Sequence, residues 1–313
     1  MSALTLARHW RPALWEEVPQ PLEPDPRRIL RPWPPGTHGE HDPGFALQDR
    51  DLDILSRLWA AGALLSTHIQ ALFFPGVTQP SAVQRRLRML YAVGLLRRHR
   101  PQLPRGMGSS PLLFSLSRLG FEVLSVAQPH WWAARWPGAR WDRRRHEREP
   151  GPELLHPLLV AEVASWAVSR LGREWIFESE PAGVVSAGVV AAGSRPREVL
   201  FHPDAILTDP ARRSPDWFLE VEWRAYLPSW LEKVERWDRW RRKHALTETP
   251  AQILVAGYLR DSPNRYQWTI LPLLRALPPE LATVVQVLDL ERWDAGSDEA
   301  QAVSASRLLR SSA

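Results

Sequence analysis

The sequence predicts a protein with two domains of the α+β or α/β class, and three observations lead to that expectation. The chain has 313 residues, more than the roughly 100–200 residues of an ordinary single domain. Helical periodicity dominates residues 48–94, whereas helices and strands alternate after residue 152. With 44% hydrophobic and 24% charged residues, the composition is that of a globular chain with a sizeable core.

Composition also excludes several kinds of protein. The chain contains no cysteine, so disulfides and thiolate metal sites are excluded. No apolar run approaches the roughly 18–20 residues of a membrane-spanning helix, and the N-terminus lacks the layout of a signal peptide. We therefore expect a cytoplasmic protein without a membrane partner.

Positive charge is concentrated in one part of the chain. Residues 81–148 contain 14 arginines, no lysine and three acidic residues, which gives a net charge of +11. Because the whole chain carries +5, the remainder carries −6. A basic region beside an acidic one suggests that the basic region binds a polyanion, and nucleic acid is the polyanion expected in the cytoplasm. The alternative is a solvated arginine-rich surface.

The first 45 residues predict a proline-rich, irregular arm. They include nine prolines and show no helical period. Such a composition buries too little apolar surface to offset the entropy lost on folding. Residues 1–45 are therefore assigned to an arm outside the two domains.

Two short helices are predicted after this arm. Leucines recur at helical spacing from about Asp51, which can cap the first helix, to Gly62, which can end it. The second helix is predicted to begin at Thr67, because Thr67 and Gln70 have the spacing of a capping box. Pro75 and the glycine after it end this helix.

The third predicted helix runs from about residue 80 to Gly94 and is the most informative. At roughly 100° per residue its apolar residues fall on one stripe, and its polar residues point away from that stripe. The stripe consists of Val83, Leu87, Leu90 and Tyr91. The polar face consists of Gln84, Arg85 and Arg88, with Arg86 at its margin. Glutamine and arginine are side chains that reach base edges and phosphates.

A β-hairpin is predicted after the third helix. Its strands lie at residues 95–100 and 112–116 around a tip rich in proline and glycine, and Ser117 caps a further helix. Three short helices and a hairpin predict a winged helix-turn-helix at residues 46–125, with its third helix in the major groove of double-stranded DNA. The first strand adds arginines suited to phosphate contacts, namely Arg97, Arg98 and Arg100. The alternative is a helical module for protein–protein contacts.

Residues 126–152 predict a linker in which tryptophans are interleaved with arginines. These residues are Trp131, Trp132, Trp136, Trp141, Arg135, Arg140, Arg143, Arg144, Arg145 and Arg148. Aromatic rings beside arginines suit single-stranded DNA, because bases stack on the rings. The alternative, which we prefer, is that the tryptophans pack the linker onto the domains while the arginines stay solvated.

The second domain is predicted at residues 153–295, followed by a tail at 296–313. Its predicted elements are a helix at 153–171, strands at 175–180, 199–207 and 217–223, a helix at 228–244, and a strand at 252–258. This order of helices and strands predicts an α/β domain with a mixed sheet.

Four acidic residues and one lysine of this domain do not fit the pattern of ordinary solvent-exposed charges. Glu162 projects from the apolar stripe of the first helix, and Asp204 lies inside an apolar strand. Glu220 and Glu222 share one face of their strand, and Lys233 lies at the edge of the inward stripe of its helix. Such carboxylates near a lysine can bind Mg²⁺ and activate water against a phosphodiester. The alternative is a buried acid–lysine network without metal.

These stretches together resemble the bacterial and plasmid replication-relaxation family. The resemblance covers roughly residues 46–260. It is carried by "RDLDILSRLWAAGALLSTHIQALFF", "SAVQRRLRMLYAVGLLRR", "LLHPLLVAEVASW", "HPDAIL", "FLEVEW" and "LEKVERW". It implies a winged helix joined to a domain similar to the PD-(D/E)xK nucleases, with a role in replication of plasmids or other mobile elements.

The likeness to these nucleases implies roles for individual residues. Asp204 resembles the acid of the Pro-Asp half-motif, Glu220 the second acid, and Glu162 the acid often found on the first helix. Glu222 departs from the pattern, which expects lysine there, and Lys233 is placed to replace that lysine. In an active site of this kind, Asp204 and Glu220 bind Mg²⁺ with help from Glu162 or Glu222, and Lys233 orients the attacking water or stabilises the developing charge.

Three functions remain open at this stage. The leading one is a protein that binds double-stranded DNA as a regulator or as an accessory factor in replication or mobilisation. The second is a Mg²⁺-dependent DNA endonuclease. The third is a non-catalytic regulator whose second domain only forms a homodimer or recruits partners.

Overall fold

The computed structural model describes residues 15–17, 47–77, 79–101, 111–127, 136, 138–141, 154–177, 185–192, 195–211, 214–222, 227–244, 251–259, 269–290 and 302–311. Within these described residues the chain forms two compact units, one ending at Ala161 and the other beginning at Glu162. Both combine helices with strands, and the second contains a mixed sheet of six strands. The prediction of a mixed fold with a mixed sheet is therefore confirmed.

Up to residue 127, the described part of the first unit contains four helices and four strands. The helices are α1 (Asp49–Ala61), α2 (Ser66–Phe73), α3 (Pro80–Ala92) and α4 (Arg118–Ala127). The strands are β1 (Trp15–Glu17), β2 (Ala63–Leu65), β3 (Leu96–Pro101) and β4 (Leu113–Leu116). They form an antiparallel sheet in the order β1-β3-β4-β2. The three predicted helices and both hairpin strands are confirmed, whereas most of the predicted tip lies outside the described residues.

Two strands of this sheet are absent from the sequence-based prediction. The first, β1, lies within the arm predicted to be irregular, and its backbone pairs Glu16 with Arg100 of β3. The second, β2, lies between α1 and α2 and pairs with β4. Each has only three residues, too few for the alternating pattern that identifies a strand.

The helix caps differ in one case from the prediction. At the start of α1 the backbone N–H of Gln48 donates to Asp51 Oδ2 at 2.7 Å. The predicted Thr67–Gln70 capping box of α2 is wrong, because this helix begins at Ser66 and the N–H of Leu65 donates to His68 Nδ1 at 3.4 Å. Histidine performs here the reciprocal role usually filled by Glu or Gln.

The core of the first unit contains the predicted stripe of α3. Val83, Leu87, Leu90 and Tyr91 are each at most 3% exposed. Gly120 of α4 packs closely on the turn before β3. A Cβ at this position would lie 2.3 Å from the carbonyl oxygen of Leu95. The position therefore requires glycine. The helices are fixed by apolar packing, which leaves the opposite face of α3 to solvent.

Two tryptophans of the predicted linker pack within the first unit. Trp136 is 6% exposed, and the ring of Trp141 lies 5.8 Å from that of Phe121, which itself lies 4.8 Å from that of Trp59. The packing interpretation is therefore supported for these two rings. The other residues named for the linker, apart from the exposed Arg140, lie outside the described residues.

The second unit is built on a six-stranded sheet. Its helices are the end of α5 (Leu155–Leu171), α6 (Leu227–His244), α7 (Leu271–Arg275), α8 (Pro279–Ala282) and α9 (Ala305–Ser311). Its strands are β5 (Glu174–Phe177), β6 (Val185–Ala192), β7 (Arg195–Phe201), β8 (Ala205–Thr208), β9 (Trp217–Glu222), β10 (Gln252–Gly257), β11 (Val285–Asp289) and β12 (Val303–Ser304). The sheet order is β12-β11-β10-β9-β8-β5, and β6 and β7 form a separate hairpin. Strand β10 is parallel to β9 and β11, and the other pairs of the six-stranded sheet are antiparallel.

Two predicted segments of this unit are corrected. The strand predicted at 199–207 is two strands, because β7 ends at Phe201 and β8 begins at Ala205 in a different sheet. Pro203 explains the break, since proline has no N–H for a strand ladder. Asp204 consequently lies immediately before β8 rather than inside a strand. The predicted tail at 296–313 contributes β12, which pairs with β11, and α9.

The core of the second unit includes one side of α6. Trp230, Trp237 and Trp240 are at most 5% exposed and belong to the same apolar cluster as Phe218 of β9. The rings of Phe218 and Trp240 are 5.0 Å apart, and those of Trp230 and Trp237 are 5.1 Å apart. Because strand side chains alternate, Glu220 and Glu222 lie on the same face of β9 as Phe218. The packing therefore places these acids on the side of the sheet covered by α6.

A buried arginine fixes the hairpin that carries the acidic residues. Arg173 Nη1 donates to the carbonyl oxygens of Leu207, at 3.0 Å, and Pro215, at 2.9 Å. Its guanidinium lies 3.8 Å from the centre of the Trp217 ring. One nitrogen thus holds both arms of the β8–β9 hairpin. A slip of one residue would move Glu220 to the other face, so this contact helps to fix the site.

Candidate functional site

The exposed face of α3 is the first candidate site. Gln84, Arg85 and Arg88 are exposed, as predicted, on the face opposite the buried stripe. Arg88 Nε donates to the carbonyl oxygen of Gln84 at 3.4 Å, along the helix. Long polar side chains on an exposed helix can follow the edges of bases or the phosphates of a nucleic acid.

Arg86 has a different environment from its neighbours on α3. Its side chain is 14% exposed and forms a salt bridge with Asp51, whose side chain is fully buried. The Arg86 Nε donates to Asp51 Oδ1 at 2.9 Å, and Nη2 donates to Asp51 Oδ2. Because Asp51 also caps α1, this pair ties α3 to the start of α1 and gives Arg86 a structural role. The prediction that Arg86 contacts DNA has no support from this geometry.

The three arginines of β3 also differ from one another. Arg100 is exposed, whereas Arg97 and Arg98 are half-buried. The guanidinium of Arg98 lies 4.3 Å from the centre of the Tyr91 ring of α3, a cation–π contact. Arg98 thus links β3 to α3, and Arg100 is the β3 arginine best exposed for contact with a partner.

The second candidate site is a carboxylate–lysine cluster formed by Asp204, Glu220, Glu222 and Lys233. Asp204 precedes β8, the two glutamates lie on β9, and Lys233 projects from α6. Lys233 Nζ donates to Glu220 Oε2 at 2.7 Å and to Glu222 Oε1 at 2.5 Å. The sequence-based prediction that Lys233 can reach these acids is consistent with these contacts.

Asp204 joins the cluster through the backbone of β9. The N–H of Val221 donates to Asp204 Oδ2 at 2.7 Å. Val221 lies between the two glutamates in sequence, so this hydrogen bond holds the Asp204 carboxylate beside them. The break at Pro203 makes the contact available, because Asp204 lies at the start of β8 with its side chain turned toward the neighbouring strand.

Burial and like charges act on the acids of the cluster. The side chain of Glu220 is only 2% exposed. Burial first, and then the Asp204 carboxylate, raise the pKa of Glu220 to about 8, although Lys233 acts in the opposite direction. Burial lowers the pKa of the Lys233 ammonium, but Glu220, Asp204 and Glu222 outweigh it, so that pKa lies above its ordinary value. Lys233 is therefore charged at neutral pH, whereas the raised pKa of Glu220 keeps a proton on that carboxyl group.

The carboxyl groups of the cluster are suitable ligands for a cation, but in the structure they are not arranged as a cation site. With all four groups ionised its formal charge is −2, which a divalent cation would balance, and carboxylate oxygens are ligands that Mg²⁺ prefers. Within the described residues, however, no group of three or more histidine, aspartate or glutamate side chains is arranged to bind a metal ion. Lys233 lies between the two glutamates instead.

Glu162, the remaining acid named from the sequence, lies on α5 and is 6% exposed. The structure confirms the prediction that this carboxyl group is buried in an apolar stripe. A role for Glu162 beside Asp204 and Glu220 stays a prediction.

Sequence reasoning missed Gly257, which lies next to the cluster on β10. Gly257 is the register partner of Glu222, and a Cβ there would lie 2.8 Å from the Glu222 carbonyl oxygen and 2.7 Å from Ile270 Cγ2. Glycine thus permits the close approach of β10 to the strand end that carries Glu222. A lone glycine within an apolar strand is the sequence signal for such an approach.

Comparison with known proteins identifies one family that the chain matches. Residues 55–253, more than half of the chain, match the replication-relaxation family, which supports a role related to replication or mobilisation. No curated protein and no solved structure shows significant similarity to the chain. Within the described residues, no helix is both long and apolar enough to cross a membrane. The family match confirms the resemblance found in the sequence, and the chain belongs to the replication-relaxation family.

Proposed function

We propose that the first unit is a winged helix-turn-helix that binds double-stranded DNA through α3. The observation that carries this proposal is the division of α3 into two faces. Val83 and Leu87 are buried in the core, whereas Gln84, Arg85 and Arg88 are exposed. The chain order of three helices followed by the β3–β4 hairpin is that of a winged helix. In such a domain the third helix enters the major groove.

The charge of this region suits a DNA backbone. Residues 81–148 carry a net charge of +11, and Arg100 of β3 adds an exposed cation to those of α3. Binding of arginines to phosphates releases counterions, so the affinity of such a surface falls steeply with salt. The protein then acts as a DNA-binding regulator or as an accessory factor in replication or mobilisation.

The test is a titration of a fluorescent DNA duplex with the full chain at several salt concentrations. Arg85→Ala combined with Arg88→Ala is expected to lower the slope of log affinity against log salt by about 2, since each phosphate contact contributes roughly 0.9. The control is Arg118→Ala on α4, which removes an arginine whose side chain is 74% exposed and which pairs with Glu122. Equal affinity and slope for wild type and the double variant would contradict the proposal.

A second candidate function rests on the carboxylate–lysine cluster of the second unit, which we propose as a site of Mg²⁺-dependent phosphodiester hydrolysis. The observation in its favour is an excess of acidic groups: three carboxyl groups, one of them buried, are brought together with one lysine. Asp204 and Glu220 would bind the cation, which would supply an activated water at neutral pH. Lys233 would hold Glu220 and Glu222 in place and stabilise negative charge on the phosphate.

This second function is tested with supercoiled plasmid in the presence of Mg²⁺, Mn²⁺ or EDTA. The wild type is expected to nick the plasmid with either metal and not with EDTA, and Asp204→Asn is expected to be inactive. The variant keeps the size of the side chain and an oxygen that can accept the Val221 N–H. Intact plasmid under conditions where the same protein shifts DNA in a gel would leave the cluster as a structural acid–lysine network.

A further inference from the structure

Helix α6 carries a second feature beyond its lysine in the cluster. It contains six basic and three acidic residues, a net charge of +3. Residues 154–313 contain 19 basic and 21 acidic residues, so the rest of this region carries −5. Positive charge in the second half of the chain is thus concentrated on the helix that also supplies Lys233.

Helical geometry places three of these cations on one side of α6. From Lys233, steps of three, three and four residues lead to Arg236, Arg239 and Lys243, and residues spaced in this way are neighbours on a helix surface. At about 100° per residue, Arg236 and Lys243 lie within about 80° of Lys233 around the axis, and Arg239 lies about 120° from it in the same direction. We call Arg236, Arg239 and Lys243 the basic flank. It begins next to the carboxylate–lysine cluster and continues along the helix away from it.

The two arginines of the basic flank are accessible and only weakly engaged. Arg236 is 44% exposed and lies 3.7 Å from Glu232, whose side chain is 71% exposed. Arg239 is 37% exposed and pairs with Glu235, which is 65% exposed. Exposed ion pairs of this kind contribute little to stability, so a phosphate can replace either glutamate.

We propose that the basic flank of α6 binds the sugar–phosphate backbone of a nucleic acid and leads it to the carboxylate–lysine cluster. The choice of nucleic acid as the polyanion rests on the proposed function of the first unit. The placement rests on α6 alone, since Lys233 bonds to both glutamates one turn from Arg236. The flank gives the second unit a contact with DNA that is independent of base sequence, as phosphate contacts are.

The structure provides a matched control on the same helix. Arg242 also pairs with an acid four residues before it, Asp238, and its side chain is 73% exposed. At about 100° per residue it lies on the opposite side of the axis from Lys233. Arg236→Gln and Arg242→Gln therefore remove the same charge and the same kind of ion pair from two sides of one helix.

The experiment measures binding of the full chain to a mixed-sequence duplex of about 20 base pairs, roughly two helical turns, and to its single strand, by fluorescence anisotropy over a salt series. Arg236→Gln is expected to weaken binding to at least one of the two probes several-fold at about 0.15 M salt and to lower the salt slope by nearly 1. Arg242→Gln is expected to match the wild type. Circular dichroism and thermal melting of each variant check that α6 remains folded.

Comparison with the α3 variant separates this proposal from the function proposed for the first unit. Loss of binding in Arg85→Ala with Arg88→Ala, but wild-type affinity and slope in Arg236→Gln, would overturn the basic flank alone. The opposite pattern would support the flank and contradict the role of α3. A wild-type chain that binds neither probe would overturn both proposals. An equal loss of affinity in Arg242→Gln would overturn the assignment of binding to the basic flank.

Discussion

The exposed face of α3 and the carboxylate–lysine cluster place charge in opposite ways. On α3, Arg85 and Arg88 extend into solvent from a helix held by its apolar stripe. In the cluster, Glu220 is almost completely buried and is held by Lys233 from another element. The first arrangement leaves side chains free to adapt to a long polymer. The second fixes the positions of a few atoms, which is what chemistry or a rigid core requires.

The largest effect on stability is expected within α3, where a partly buried arginine can be compared with an exposed one. Arg86→Ala leaves the buried Asp51 carboxylate without its salt bridge, and loss of one partner of a buried pair costs about 3 kcal/mol. Arg85→Ala, one residue away, removes an exposed side chain and should change stability by less than about 0.5 kcal/mol. The measurement is urea unfolding of the three proteins. Similar midpoints for Arg86→Ala and Arg85→Ala would show that burial does not distinguish the two arginines.

A smaller effect is expected from the cluster. Lys233→Met keeps the length of the side chain but removes the cation that bonds Glu220 and Glu222, and we expect a loss of about 2 kcal/mol because Lys233 is partly exposed. The unfolding midpoint should fall less in Lys243→Met, which changes an exposed lysine of the same helix. If Lys233→Met were as stable as the wild type, the cluster would not be a network that holds β9 and α6 together.

The third prediction concerns the pH dependence of stability. Because the folded-state pKa of Glu220 is raised from 4.5 to about 8, the unfolded chain releases this proton at lower pH than the folded one. Stability should therefore fall as pH rises from about 4.5 to about 8, and level off above that range.

Thermal melting across this pH range checks the expectation. Glu220→Gln, a neutral side chain of similar shape, should lack the fall, whereas Glu280→Gln, at an exposed position of α8, should retain it. A curve for Glu220→Gln that runs parallel to the wild type would assign the pH dependence to another group.

Sequence periodicity was sufficient for elements whose packing is local. The stripe of α3, the shared face of Glu220 and Glu222, and the bounds of α6 all follow from residues a few positions apart in the chain. The break at Pro203 was also readable, since proline interrupts a ladder. Its position between two apolar runs nevertheless suggested one continuous strand.

Contacts between distant segments could not be predicted in the same way. Asp51 and Arg86 are 35 positions apart, and an arginine at the margin of a polar face looks the same whether it meets an aspartate or solvent. Likewise, a sequence contains no signal that Val221 donates to Asp204 across two strands. Such polar contacts depend on how the helices and strands pack together. That packing is determined mainly by apolar surface, and many different apolar sequences can provide such a surface.

The short strand β1 has a practical consequence for how this protein is handled. It pairs with β3 on the side that does not face β4, so the arm occupies what would otherwise be the open border of a small sheet. Unpaired strand borders present rows of free N–H and C=O groups that recruit other chains. Removing β1 with the proline-rich arm would therefore leave the edge of β3 unpaired, and such an edge favours self-association.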